Sequence, residues 1–205
     1  LAGTKRAGTK EAESVAQTQA ASPMYDKIVE LNAYGYIKDV SGEYYGIDDF
    51  DESMAMINYI RPFPTGFSPT NFVIRVDASW DSASDSANWF NSGCGFIFHR
   101  VDLDNYYFVY LGLDGWVNFA RRYKDEWNRL GKSSYGPVDI PEGEANLMLV
   151  VEDNTFTFFV NDERVRTQPD DVIPEGELAF TLVSGTNAGF GTHCKMENID
   201  LWIMD

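Results

Sequence analysis

Three flat aromatic side chains, Tyr106, Tyr110 and Trp116, and three planar hydrogen-bonding ones, Arg100, Asn118 and Arg121, crowd into the stretch from Ser92 to Arg122. Flat rings stack on the C–H faces of a sugar and planar polar groups reach its hydroxyls, so this combination is suited to saccharide binding. The same side chains would also serve as core and inter-sheet packing, with the arginine stems lying over the rings. Other chemistries find less to work with. Asp49-Phe50-Asp51-Glu52 and Asp102-Leu103-Asp104 are the nearest approaches to paired carboxylates, but both sit in turn contexts and read as solvated loop acids. No serine stands in a Gly-x-Ser-x-Gly elbow. His99 and His193 are isolated, without the neighbouring Cys pairs of a zinc site. No catalytic residue and no metal ligand is assigned.

The elements that must carry these residues form an antiparallel meander. Cys94 to Arg100 alternates, with Phe96, Phe98 and Arg100 expected on one face and Ile97 and His99 on the other. The turn Val101–Asn105 leads into Tyr106–Leu111, and Gly112–Gly115 turns the chain into Trp116–Arg122. Aromatic and β-branched residues suit a pleated surface, and Asp, Asn and Gly suit the turns.

The formal charge of −16 repels phosphate backbones, so nucleic acid is excluded as a partner. With 44% hydrophobic and 15% aromatic residues, the 205-residue chain belongs with globular rather than disordered proteins. No apolar run is long enough to span a bilayer as a helix. The chain opens on Leu1 without a methionine, as expected of a processed or truncated product whose targeting segment is gone.

Cys94 and Cys194 both fall in expected strands. They either pair, tying mid-chain to C-terminus, or remain two buried thiols. The disulfide is the preferred reading, because the acidic composition resembles that of secreted proteins.

Residues 1–22 are rich in Ala, Thr, Lys, Glu and Gln and lack an apolar stripe, as expected of a helical or flexible stalk. A short helix over 23–33 follows, with Ser22 as N-cap, Pro23 at the first position, and Met24, Ile28 and Leu31 on one face. Beyond Tyr36 the chain reads as strands. Ser53–Ile60 and Asn71–Trp80 are the next two, and in the second Phe72, Ile74, Val76, Ala78 and Trp80 face one way. Tyr123–Gly136 reads as polar and turn-rich, with Trp127 inside it, and Asp81–Asn91 as a loop carrying Trp89 and Phe90. Ile-Pro-Glu-Gly-Glu occurs at 140–144 and again at 173–177, each copy ahead of a strand, and Asn161-Asp162-Glu163 closes a hairpin. About eleven or twelve short strands with one minor helix call for an all-β, two-sheet antiparallel sandwich or a barrel.

The order of these signals resembles the concanavalin A-like lectin and glucanase superfamily, in particular laminin-G-like and 3-keto-disaccharide-hydrolase-like jelly rolls of bacterial surface lipoproteins. The pieces carrying the likeness are Gly95–Arg100, Asp104–Tyr107, Asp114-Gly115, Glu144–Val150, Phe158–Asn161 and Asn198–Trp202. The resemblance covers about residues 36–205 and implies a jelly-roll sandwich, extracellular and often glycan-binding, which with the short helix packed on it makes a domain over 23–205 behind the stalk. It also raises calcium, which laminin-G-like domains hold with loop oxygens, and points to Asp102 and Asp104, although the spaced ligands of a known loop motif are missing. The Glu-x-Asp-x-x-Glu pattern of the superfamily's glucanases is absent.

The expectation from residues and resemblance together is an extracellular, cell-surface, non-catalytic module that binds a glycan or a neighbouring surface protein. Two alternatives stand beside it. One is a structural subunit of a surface layer or filament, assembled as a homo-oligomer through residues 1–22; the other is a glycoside-cleaving enzyme.

Overall fold

The structure, a computed structural model, describes residues 22–205; apart from Ser22, the expected stalk and any assembly through it lie outside the described residues. Among the described residues one α-helix, α1 (Tyr25–Ala33), precedes thirteen strands: β1 (Gly42–Ile47), β2 (Phe50–Met54), β3 (Phe63–Pro64), β4 (Phe72–Ser82), β5 (Gly93–Arg100), β6 (Tyr106–Gly112), β7 (Trp116–Tyr123), β8 (Glu126–Ser134), β9 (Gly143–Glu152), β10 (Thr155–Val160), β11 (Glu163–Pro169), β12 (Glu177–Val183) and β13 (Thr192–Met204).

They form two antiparallel sheets. The seven-stranded sheet runs β1-β13-β4-β9-β10-β11, with β2 also paired to β13; the six-stranded sheet runs β3-β12-β5-β6-β7-β8. Their inner faces meet in one core. Phe72, Ile74, Val76, Ala78 and Trp80 of β4 all enter it, as the strict alternation predicts, and meet Phe96, Phe98, Tyr107, Val109 and Phe119 of the opposite sheet. The rings of Phe96 and Phe158 touch edge to face across the gap, with centroids 6.2 Å apart. Cys94 on β5 is disulfide-bonded to Cys194 on β13, which ties the two sheets together across a separation of 100 residues.

The helix starts later than the sequence suggests. Met24 is its N-cap residue, Ser22 makes no side-chain cap, and Gly35, at a φ of 75°, follows its end. Met24, Ile28 and Leu31 are buried against Val73, Met148, Val150, Phe159 and Trp202 on the outer face of the seven-stranded sheet. This explains why β4 and β9 carry apolar residues on both faces. The rest of that outer face is polar, with Asp77, Glu144 and Glu197 beside Asn146.

Three expectations are corrected. Residues 55–60 are not strand: β2 ends at Met54, and the segment crosses to the other sheet, where Ile57 bridges Ser184. Residues 126–134 are not turn-rich loop but the edge strand β8, joined to β7 by a two-residue turn in which Lys124 and Asp125 both have positive φ. The β10–β11 hairpin closes in the same way on Asn161 and Asp162, one residue tighter than expected.

Candidate functional site

The outer face of the six-stranded sheet can be read from its pairing. Four rows cross it: Tyr106, Arg122 and Trp127; Ile97, Phe108, Ala120 and Arg129; Gly95, Tyr110, Asn118 and Lys132; and Trp116 with Ser134. Between Phe119 and Ala120 the register with β8 shifts by one residue, leaving Leu130 extra. Such a bulge reverses which face the following residues point to. It lets Trp127, Arg129 and Lys132 share the outer face while Leu130 packs on the core.

Two segments wall this face. On one side, residues 55–61 are pinned by Ile57 N donating to Asn187 Oδ1 (2.9 Å) and Thr181 Oγ1 donating to Arg61 O (3.0 Å). On the other, the short 3-10 turn Trp89–Asn91 is held by the Tyr110 hydroxyl, which donates to Phe90 O at 2.9 Å, and by Asn88 N donating to Gly185 O at 3.0 Å. Between the walls lies an open groove of about 460 Å³ lined by Asn58, Tyr59, Phe90, Asn118, Trp127 and Arg129 among others, with no carboxylate among its lining side chains. Small Ala120 sits on its floor between Phe108 and Arg129 in the same row, which leaves room for the groove.

The six residues singled out from the sequence are distributed as follows. Tyr110 and Asn118 line the groove but are only 6% and 7% exposed. Burial pushes the Tyr110 hydroxyl well above the usual phenol range, and Asn118 Nδ2 donates to Trp116 O at 3.1 Å. Tyr106 is buried beneath Trp127, their rings edge to face at 6.0 Å, and burial raises its pKa too. Trp116 lies on the same face with the Lys132 ammonium 4.5 Å from its ring centroid.

Arg100 leaves the face expected of it, and Arg121 faces away from the groove. In β5 a bulge opposite Leu178, with His99 at a φ of 49°, reverses the alternation. Arg100 therefore leaves the inward row of Phe96 and Phe98 and pairs with Glu177 at the edge of the outer face. The His99 ring turns in among Phe98, Tyr107 and Phe156, its nitrogens against Ile173 O (3.0 Å) and Thr70 O (2.9 Å). Arg121 pairs across from Tyr107 and faces the interior, where its guanidinium holds Asp170. It does not join the groove; Arg122, its neighbour, faces outward and is paired with Asp104 and Asp125.

Sequence reasoning passed over Tyr59, Phe90, Trp127 and Arg129. Trp127 and Tyr59 are the half-exposed aromatics of the groove, at 51% and 45%. The usable signal was a large aromatic inside a polar stretch, where solvent exposure has no packing motive.

The loop acids have local tasks. Asp102 Oδ1 accepts from Asp104 N and from the Asn105 side chain, both at 2.8 Å, in a turn that closes on itself, and these bonds hold its carboxyl below the usual range. Among the described residues no three His, Cys, Asp or Glu side chains are grouped to hold a metal ion. No described helix is long and apolar enough to cross a membrane.

Sheet order, helix position and core together define a concanavalin A-like jelly roll. Among solved structures it is similar to the carbohydrate-binding module CBM66 from Bacillus subtilis (TM-score 0.58, 14% identity, 77% of this chain and 94% of that one). It is also similar to a fructosyltransferase from A. japonicus (0.53, 12%, 80% and 26%) and to a β-fructofuranosidase from Aspergillus kawachii complexed with glycerol (0.50, 14%, 78% and 27%). The chain thus spans nearly all of the binding module but about a quarter of each enzyme. No protein-family model matches the sequence, and no curated protein matches it either.

Proposed function

We propose that this protein is an extracellular, non-catalytic module that binds a glycan in the groove on the outer face of the six-stranded sheet. The observation that carries this is the groove itself. The helix covers one outer face in part and acids dominate the remainder, whereas this face presents two half-exposed aromatics among amide side chains. Trp127 and Tyr59 offer ring faces to sugar C–H groups, and Asn58, Asn91 and Asn118 offer amides to hydroxyls. Tyr106 and Phe108 support the exposed Trp127 ring, with ring centroids 6.0 and 6.4 Å from it. Glycoside hydrolysis by two carboxylates has no member in this lining, which favours binding over cleavage.

Two further observations support the reading. The similar structure that this chain nearly spans is a carbohydrate-binding module, and the matched parts of the two fructosyl enzymes are a minor share of their length. The Cys94–Cys194 bond suits an oxidising, extracellular setting, at a cell surface or beyond it.

The test is a glycan array followed by affinity gel electrophoresis of the wild type, Trp127→Ala and Tyr59→Ala. Binding to at least one glycan is expected. Each substitution should weaken it roughly tenfold, the loss usual when a central interface aromatic is removed. An array without ligands, or a ligand indifferent to both substitutions, would sink the proposal.

A further inference from the structure

The groove carries one kind of charge. Among its lining side chains Arg129 alone is charged, and Lys132 stands next to it on the same strand and face. The Arg129 guanidinium carbon lies 5.7 Å from the centre of the Phe90 ring, and Lys132 Nζ lies 5.8 Å from the same ring and 4.5 Å from that of Trp116. Neither cation takes part in an ion pair among the described residues, whereas outward-facing Arg100 and Arg122 are both matched to carboxylates. The nearby Asp114 carboxylate is engaged in its own turn, accepting from Trp116 N at 3.2 Å.

These two cations share a face only because β8 has an extra residue. Positions 129 and 132 would point oppositely in a regular strand, and the bulge at Leu130 brings them together. Bulges that re-aim side chains in this way are associated with binding sites. An aromatic beneath each cation orients it without neutralising it, which leaves the N–H edges for a ligand.

We infer that the groove selects saccharides bearing an anionic substituent, a carboxylate or a sulfate ester, and that Arg129 and Lys132 are the residues that read it. The inference rests on the glycan-binding reading of the same groove. Arg129 offers a planar fork matched to two oxygens of either group, and Lys132 adds a point charge beside it. The chain's net charge of −16 does not oppose this at contact range. No carboxylate lines the groove, and Asp77, Glu144 and Glu197 lie on the far face of the other sheet, more than the sheet-to-sheet spacing of about 10 Å away.

The experiment measures affinity at fixed physiological ionic strength for polygalacturonate, its fully methyl-esterified form, a sulfated galactan and the desulfated polymer, using the wild type, Arg129→Gln and Lys132→Gln. At least one acidic polymer should bind roughly tenfold more tightly than its uncharged counterpart, in line with charge-assisted recognition. Each substitution should erase most of that preference, lowering affinity for the acidic polymer far more than for its uncharged counterpart. Preference for polygalacturonate assigns a carboxylate, and preference for the sulfated galactan assigns a sulfate. Equal binding of charged and uncharged forms, binding confined to neutral glycans, or a preference untouched by both substitutions overturns the inference while leaving a glycan module standing. No binding to any polymer here or on a broad array overturns both. Melting temperatures of the two variants should match the wild type, because both side chains are exposed.

Discussion

The Tyr107 hydroxyl donates to Asp170 Oδ1 at 2.5 Å, and the same hydroxyl oxygen accepts the N–H groups of Val172 and Ile173, each at 3.1 Å. Arg121 Nη1 reaches both oxygens of the carboxylate, at 2.6 and 2.5 Å. A strand of the six-stranded sheet thereby holds the link between β11 and β12 in place. Burial and the hydrogen bond to Asp170 push the Tyr107 pKa up to about 12, so the hydroxyl remains a donor throughout the neutral range.

Removing Asp170 therefore strands a largely buried guanidinium. Asp170→Ala is expected to destabilise the fold by about 3 kcal/mol, the low end for breaking a buried pair, because both partners keep a little solvent contact. Tyr107→Phe leaves the Ile173 N–H without its acceptor, while the Val172 N–H keeps Asp170 Oδ1, and should cost about 1–3 kcal/mol. Urea unfolding of both variants checks this, and a loss for Asp170→Ala no greater than for a surface substitution would count against it.

The inter-sheet disulfide closes a loop of 100 residues. Replacing both Cys94 and Cys194 by Ala should lower stability by up to about 4–5 kcal/mol, the chain-entropy value for a loop this long. The effect belongs to the unfolded state, so the double variant should keep its native far-ultraviolet circular dichroism below its melting point. Comparing wild type with and without reductant gives the same difference by a second route.

Much of the sandwich was legible because its central strands obey a period of two. From Phe72 to Trp80 every second residue reaches the core, and the side chains between them meet the helix or solvent. The candidate groove was not legible, for reasons that lie in particular residues. In β8 the two large apolar side chains, Trp127 and Leu130, are three apart and fall on opposite faces, so neither face shows an apolar stripe, and the bulge at Leu130 then breaks the alternation of the polar residues around them. Polar Asn128, Lys132 and Ser134 then read as loop, as befits an edge strand with solvent beside it. The bulge at His99 sends Arg100 outward, and plain alternation separates Asn118 from Arg121, three positions along β7. Tyr59 reaches the groove only because residues 55–60 cross between sheets, which a local pattern does not encode.

His193 joins three strands. Its Nε2 lies 2.8 Å from Asp51 on β2 and its Nδ1 3.3 Å from Asp81 on β4. Burial alone would lower its pKa, but the bonds and charges of the two aspartates together outweigh it and the value is raised. A raised folded-state value means the folded protein holds the proton more tightly. The stabilisation is then full below the unfolded value of about 6.5 and fades as pH climbs through the folded one. Stability should fall in wild type as pH rises above the unfolded value of about 6.5, by an amount absent from His193→Gln; melting curves through the neutral range read it. An identical pH dependence in both proteins would remove His193 as its source.

Ala120 allows the groove to be tested without deleting any contact. Its methyl group sits on the floor between Phe108 and Arg129, facing away from the inter-sheet core. Ala120→Leu puts a larger side chain into the space a sugar ring would need, while Phe119 and Val117 keep the core packed beneath. The added bulk projects outward, so folding stability should stay within about 0.5 kcal/mol of wild type, as at sites outside the core. Glycan affinity should nevertheless drop at least roughly tenfold, since a ligand displaced from the floor loses its stack on Trp127 as well. Affinity gels and thermal melts of the same preparation separate the two quantities. Unchanged affinity would move the ligand to another surface, because nothing else about the groove has been altered.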